Sequence, residues 1–291
     1  MYAMRGMNLP LAVWLRWSAP RPRWVLFHEV AFPMSSEYSL KQRFLGLIQH
    51  LMAGSVVRGA DRSFITVPRW QSILRKCAPG CLRSEIVPVP SNVAPSADAD
   101  AVARLCSAFA RDPADPIVGH FGTWGEAITS LVEPVVISLL EARPDLVFVA
   151  IGRSSEVWRA GFLARHPDFA DRTHATGSTS PERVAEYLSA CDLLIQPYPD
   201  GASGRRTTAM AGIALGRPVV TDSGTATEPV WSDECLVVLS DASDTRAMVQ
   251  AIVALLDDPA ERTALGKRAA EGYARHFGID RTLKILRAEP R

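Results

Sequence analysis

Two short apolar runs, LLI at 193–195 and PVV at 218–220, have the length of strands buried on both faces of a parallel sheet. The Ala- and Met-rich stretch between them reads as one helix stopped by Gly216. The same alternation runs upstream. It predicts strand 117–121, helix 127–142, strand 146–151, helix 156–165, a short strand 174–176 and helix 181–190. Downstream it predicts strand 235–239 and helices 245–256 and 259–276. Strands alternating with helices in this way imply a full, doubly wound parallel sheet.

The first hundred residues follow the same rule less completely. Residues 1–23 are basic and aromatic-rich, with an apolar patch that predicts one helix packed on a sheet. WVLFHEV (24–30) reads as a strand with His28 and Glu29 at its carboxyl end, where site residues of α/β sheets sit, followed by the loop-like AFPMSS (31–36). A helix over 40–54 places Leu45, Ile48, Leu51 and Met52 on its apolar face, and 62–67 is another strand. VPVPSNVAPS (87–96) is a strand end running into a Pro/Ser-rich loop, and 97–116 is Ala/Asp-rich around a short helix. The expected division is therefore a first domain over 1–96, a linker over 97–115 and a second domain over 116–291. The fold class is α/β with two Rossmann-like halves, the first incomplete.

Composition narrows the function classes. With 47% apolar residues in 291, the chain can bury one or two cores. A net charge of +1 and the lack of a basic, aromatic-interleaved block argue against nucleic acid. Cys77, Cys81, Cys106, Cys191 and Cys235 are scattered without metal-ligand or disulfide spacing, which points to reduced thiols, a cytoplasmic location and no metal site. The apolar run at 9–15 is too short to span a bilayer, which leaves peripheral membrane association open.

The chemistry concentrates in DLLIQPYPDGASGRRTTAMAGIALGRPVVTDSGTATEP (192–229). Asp200, Gly201, Ser203 and Gly204 carry turn and N-cap chemistry, and Arg205, Arg206, Thr207 and Thr208 are expected in the first helical turn. Two guanidinium forks at a dipole-positive helix end oppose the dipole unless they hold an anion, so this pattern predicts a phosphate site. Solvated surface arginines are the ordinary alternative. In GHFGTWG, Gly119, Gly122 and Gly125 surround the first strand end of the second domain, where backbone can approach a ligand. The motif is neither GxGxxG nor a GxxxxGK[ST] loop, which disfavours a nicotinamide dehydrogenase or a P-loop enzyme.

In order, VGHFG, VAIGRSSE, ATGSTSPERVAEYLSACDLLIQPYPDG, ALGRPVVT, SGTATEP and the LLDDPAERTALG tail resemble the donor-binding half of retaining glycosyltransferases of the GT-B fold, family 4, over about residues 116–280. The resemblance implies a glycosyltransferase that takes a nucleotide diphosphate sugar, needs no metal or other cofactor, and acts on a glycan, lipid or small-molecule acceptor. It departs from the family in two places. The acidic pair eight residues apart falls on Ser203 and Ala211, and the Arg after the first strand reads His120 with no lysine nearby. The resemblance then implies that Gly122, Thr123, Ser203, Gly204, Arg205, Arg206, Thr207 and Thr208 clamp the diphosphate and that Glu228 faces the donor. His28, beside Glu29, matches the family's catalytic-side histidine. A non-catalytic nucleotide-sugar-binding protein or another GT-B enzyme, such as a sugar-nucleotide epimerase, are the alternatives. Because the histidine strand comes so early, the opening βα units of the first domain are expected to be missing.

Overall fold

A computed structural model describes residues 8–30, 39–81, 84–94, 96–241 and 244–288, so the AFPMSS loop lies outside the described residues. The chain forms two compact units, 1–88 with 283–291, and 89–282.

The first unit holds helices α1 (Leu9–Trp17), α2 (Leu40–Gly59) and α3 (Arg69–Cys77), and a three-stranded parallel sheet ordered β1 (Trp24–Phe27), β2 (Arg62–Ile65), β3 (Glu85–Ile86). α2 starts with a reciprocal cap between Ser39 and Gln42, which satisfies two backbone donors that the helix leaves open. Its core is small: Phe27, Ala53, Val57, Ile65, Leu74 and Ala78. The expected apolar face of α2 is not the one that packs. Gly46, Ala53, Gly54, Val57 and Gly59 are buried, while Leu51 is 63% exposed. The reason is close approach: a Cβ on Gly54 would lie 2.4 Å from the Cys77 carbonyl oxygen, and one on Gly59 would lie 2.6 Å from Arg16 Cα. The helix therefore packs most closely through small residues, leaving Leu45, Ile48 and Met52 half-buried and Leu51 exposed. α1 packs on α2, where the sequence predicted packing on a sheet.

The second unit is a six-stranded parallel sheet ordered β6 (Thr173–Ala175), β5 (Val147–Ile151), β4 (Ile117–Phe121), β7 (Leu193–Gln196), β8 (Val219–Ser223), β9 (Val238–Asp241). Alternate residues of each strand feed opposite faces. Val118, Phe148, Leu193 and Val220 pack with α5 (Glu126–Ala142), α6 (Ser155–Arg165) and α10 (Thr245–Asp257). Ile117, Val147, Leu194 and Val219 pack with α7 (Pro181–Ser189), α8 (Thr207–Ala214) and α11 (Pro259–His276). All five β5 residues are buried, as a continuous VFVAI run requires. α4 (Ala99–Phe109) packs on α7, so 97–115 joins this unit and does not act as a free linker.

Several boundaries move. β1 stops at Phe27, three residues short of the predicted strand end, and β2 stops at Ile65. The last strand is Val238–Asp241, not 235–239. Here Cys235 takes a left-handed turn (φ 49°) after the short α9 (Val230–Asp233), and Leu236 and Val237 are buried before the ladder begins. The last helix among the described residues is α12 (Ile279–Arg287), and within the first unit the carbonyls of Ile285, Leu286 and Ala288 accept from Arg62.

Candidate functional site

In the second unit β4 lies between β5 and β7, and the helices that follow β4 and β7 leave for opposite faces of the sheet. That reversal opens a crevice at the carboxyl ends of the two strands, where open α/β sheets bind ligands. After β4, Gly122 N–H donates to the Ile151 carbonyl at 3.0 Å, and Thr123 is exposed at the tip of the turn. Trp124 holds a left-handed backbone (φ 56°), uncommon for so bulky a residue. Its buried ring donates to the Ile151 carbonyl at 3.0 Å and meets the His120 ring edge-on at 4.9 Å.

His120, where the resemblance implies an arginine, is 1% exposed. Its Nδ1 donates to the Ile195 carbonyl at 2.8 Å, so Nε2 is a bare acceptor without a partner among the described residues. A Cβ on Gly122 would lie 3.0 Å from that atom, a tight contact. Burial drives the imidazole down to about 4, only partly offset by its bond to Ile195, and the ring is neutral at physiological pH. It supplies no positive charge to a phosphate.

The loop after β7 is locked to the loop after β8. Gly201 has φ +86°, and a Cβ there would strike Gly224 N and Thr227 Oγ1 at 2.4 Å each. Ala202 N–H donates to Asp222 O and Ala226 N–H to Asp200 O, both at 2.9 Å. This lock fixes the Asp200 carboxylate, which pairs through one oxygen with Arg205 and through the other with Arg206. Burial raises the Asp200 carboxyl, but the charges of Arg206 and Arg205 outweigh it and the group ends below its ordinary value. The Arg206 guanidinium also lies over the Tyr198 ring, 4.5 Å from its centroid.

The start of α8 departs from expectation. Its N-cap is Arg206, with no side-chain cap, so Arg205 and Arg206 precede the helix and Thr207 and Thr208 occupy its first turn. Asp200 is drawn to the guanidinium groups, and Ser203 is fully buried with an Oγ that has no partner among the described residues, so neither caps. The Tyr198 hydroxyl takes that place: it bonds Thr208 Oγ1 at 2.7 Å and accepts from Ala209 N–H. Burial pushes this phenol up to about 12. Gly216 ends the helix as predicted, in the left-handed region at φ +67°.

Glu228 reaches back from the loop after β8. Both carboxylate oxygens lie 3.1 Å from Gly204 N–H, and Oε2 accepts from Trp231 Nε1 at 2.8 Å. Burial pushes the carboxyl up against these bonds and the charge of Arg205. Ser203, Gly204, Arg205, Arg206, Thr207, Thr208 and Glu228 thus meet at one strand end. The roles of Asp200 as arginine holder and Tyr198 as helix cap were missed. The signal available was the acidic D-G turn placed four residues before an Arg-Arg pair.

His28 and Glu29 belong to the first unit, exposed and directly past β1. The backbone there is fixed: the His28 carbonyl accepts from Thr66 Oγ1 at 3.0 Å and Trp70 Nε1 at 3.1 Å.

Residues 115–258, about half of the chain, match the family model "Glycosyl transferases group 1". A relative from Rhizobium meliloti (strain 1021), the lipopolysaccharide core biosynthesis mannosyltransferase LpsB, is 30% identical over 195 residues, 62% of this chain and 53% of the relative. The match thus spans about half that relative's length. Among solved structures, sucrose-phosphate synthase from Thermosynechococcus elongatus superposes with a TM-score of 0.74 at 21% identity, covering 94% of this chain and 68% of that one. Anabaena Alr3699/HepE in complex with UDP and glucose gives 0.69 at 14% identity, covering 91% and 71%. These likenesses show the fold, two parallel α/β sheets of the GT-B kind.

Proposed function

We propose that this chain, built around a group 1 glycosyltransferase domain, transfers a sugar from a nucleotide diphosphate sugar to a glycan, lipid or small-molecule acceptor, with retention and without a metal. It would do so in the cytoplasm. The observation that carries this reading is the gathering of Arg205, Arg206, Glu228 and the start of α8 at the carboxyl ends of β7 and β8, beside the strand reversal. The UDP and glucose of the Anabaena neighbour and the mannosyl transfer named for the rhizobial relative support a nucleotide-activated hexose.

In this reading Arg205 and Arg206 hold the diphosphate and stabilise the charge that builds on it as the glycosidic bond breaks. The turn at Gly122 and Thr123 and the hydroxyls of Thr207 and Thr208 complete the clamp. Ser203, buried under the loop, and Gly204, bonded to Glu228, support its backbone. Glu228 keeps that backbone in place and presents its carboxylate toward the donor. His28, with Glu29, orients sugar or acceptor.

A thermal-shift screen across UDP-, GDP-, ADP- and dTDP-sugars identifies the donor, since a ligand at about 100 times its Kd adds about 2.7 kcal/mol. With that donor, calorimetry on Arg205→Ala and Arg206→Ala should show diphosphate binding weakened by about 1.5–3 kcal/mol. Unchanged affinity in both variants sinks the phosphate assignment. His28→Ala should slow transfer and leave diphosphate affinity nearly intact, whereas wild-type turnover makes it structural.

A second reading, a binding module without transfer, is favoured by two features: Asp200 already engages both arginines, and His120 is uncharged where the resemblance implies a cation. Acceptor-dependent release of nucleoside diphosphate separates the two. Binding without release supports the module.

A further inference from the structure

Two guanidinium groups side by side repel one another, and here both are largely out of water: the Arg205 and Arg206 side chains are 12% and 20% exposed. Such a pair needs an anion between its members. Asp200 is that anion, with one carboxylate oxygen for each arginine.

The surroundings offer more than a carboxylate can use. Ser203 is 0% exposed, and its Oγ, like the buried Arg206 Nε, bonds nothing among the described residues. The two residues share one turn, closed by Arg206 N–H donating to the Ser203 carbonyl at 2.9 Å. α8 starts directly behind that turn without a side-chain cap, so its first N–H groups add positive potential at the same place. Both oxygens of the carboxylate are already engaged. A phosphate group has three terminal oxygens and more charge, which suits the two further hydrogen-bonding atoms.

We propose that Asp200 is the resident occupant of the phosphate site and that a donor phosphate binds by exchange, taking both arginines while the carboxylate turns out to water. This rests on the phosphate reading of Arg205 and Arg206. What moves is side chain. The Asp200 carbonyl accepts from Ala226 N–H at 2.9 Å, and a Cβ on Gly201 would strike Gly224 N at 2.4 Å, so the loop is pinned on both sides. The Asp200 side chain is 24% exposed, which leaves it a way out. The Arg206 guanidinium stays over the Tyr198 ring, 4.5 Å from its centroid, whichever anion it holds. Asp200 thereby keeps the arginines arranged before the donor arrives. It also lowers the apparent affinity for every anion by the fraction of molecules in which the arginines are released from it. Only a ligand with further contacts overcomes that handicap, so Asp200 sets specificity as well as geometry.

The test is calorimetry with inorganic pyrophosphate and inorganic orthophosphate at fixed ionic strength, on wild type, Asp200→Asn and Asp200→Ala. Both variants should bind both probes about 5- to 10-fold more tightly, the factor for a release that occurs in roughly one molecule in five to one in ten. The factor should be nearly the same for both probes, because the competitor removed is the same. Mere loss of a negative charge would favour pyrophosphate, the more highly charged probe, and would fade with salt. The tightening should also vanish when Arg205→Ala and Arg206→Ala are combined with Asp200→Asn. The lock on the loop is made by main chain, and an unchanged circular-dichroism spectrum verifies the fold of each variant. Weaker or unchanged binding by both Asp200 variants overturns the exchange and makes Asp200 a fixed part of the site. So does tightening that grows with probe charge or survives the loss of both arginines. Binding of neither probe by wild type or any variant sinks the phosphate reading and the exchange together, whereas wild-type binding that Asp200→Asn leaves unmoved sinks the exchange alone.

Discussion

The two units are built from the same βα units and differ in what those units cover. In the second, helices close both faces of six strands, and Leu194 at the sheet centre is 0% exposed. In the first, three strands and small-residue helix contacts leave large apolar side chains outside, with Leu51 63% exposed. Apolar content therefore does not measure core. What matters is whether a second layer meets it.

Paired truncations put this contrast to its hardest test. Leu194→Ala should cost about 2–5 kcal/mol by urea denaturation, the range for a buried leucine, and Leu51→Ala should stay within about 0.5 kcal/mol. Similar costs for both would mean that Leu51 is covered in solution. Next comes a buried charged group of the first unit. Arg62 is 4% exposed and donates to Glu85 and to the terminal carbonyls of α12. Arg62→Ala should cost about 2–3 kcal/mol and expose the last turn of α12 to hydrogen exchange. Unaltered exchange there would detach that turn from the first sheet.

The smallest effect concerns charge in the well-covered unit. Asp200 sits below its ordinary value, so its contribution is present above the usual carboxylate range and is lost as pH falls through the depressed value. Asp200→Asn should therefore cost about 1 kcal/mol at neutral pH and converge with wild type in acid. Glu228 sits above its ordinary value, so its ionisation works against the fold as pH rises through that raised value. Glu228→Gln should narrow the gap between acid and neutral stability. A chemical-denaturation series against pH reads both signs. Parallel curves for wild type and Asp200→Asn would mean that the two arginines do not depend on Asp200.

The sequence made the second sheet legible because runs such as VFVAI at 147–151 have one reading when both faces are covered. It placed the start of α8 too early, with Arg205 and Arg206 in the first turn, because Asp200, Gly201, Ser203 and Gly204 all had turn or cap chemistry. What caps it depends on tertiary partners: Arg205 and Arg206 claim Asp200, burial silences Ser203, and Tyr198, ten residues before Thr208, comes in from the strand side. The face of α2 was misjudged for a different reason. Periodicity ranks faces by hydrophobic size, whereas Gly54 and Gly59 pack by having none. A division of charge between the two units, 15 Lys/Arg against 5 Asp/Glu in the first and 17 against 26 in the second, was present in the residue counts and was hidden by summing over the whole chain.

That division also changes how the protein behaves on a column. At its isoelectric point of about 7.7 a chain with evenly mixed charge would pass through ion exchangers of either sign. This one divides its charge between a basic unit, net +10, and an acidic unit, net −9. At low ionic strength it should be retained by both a sulfonate and a quaternary-amine resin, and neutrality of the sum would describe neither encounter.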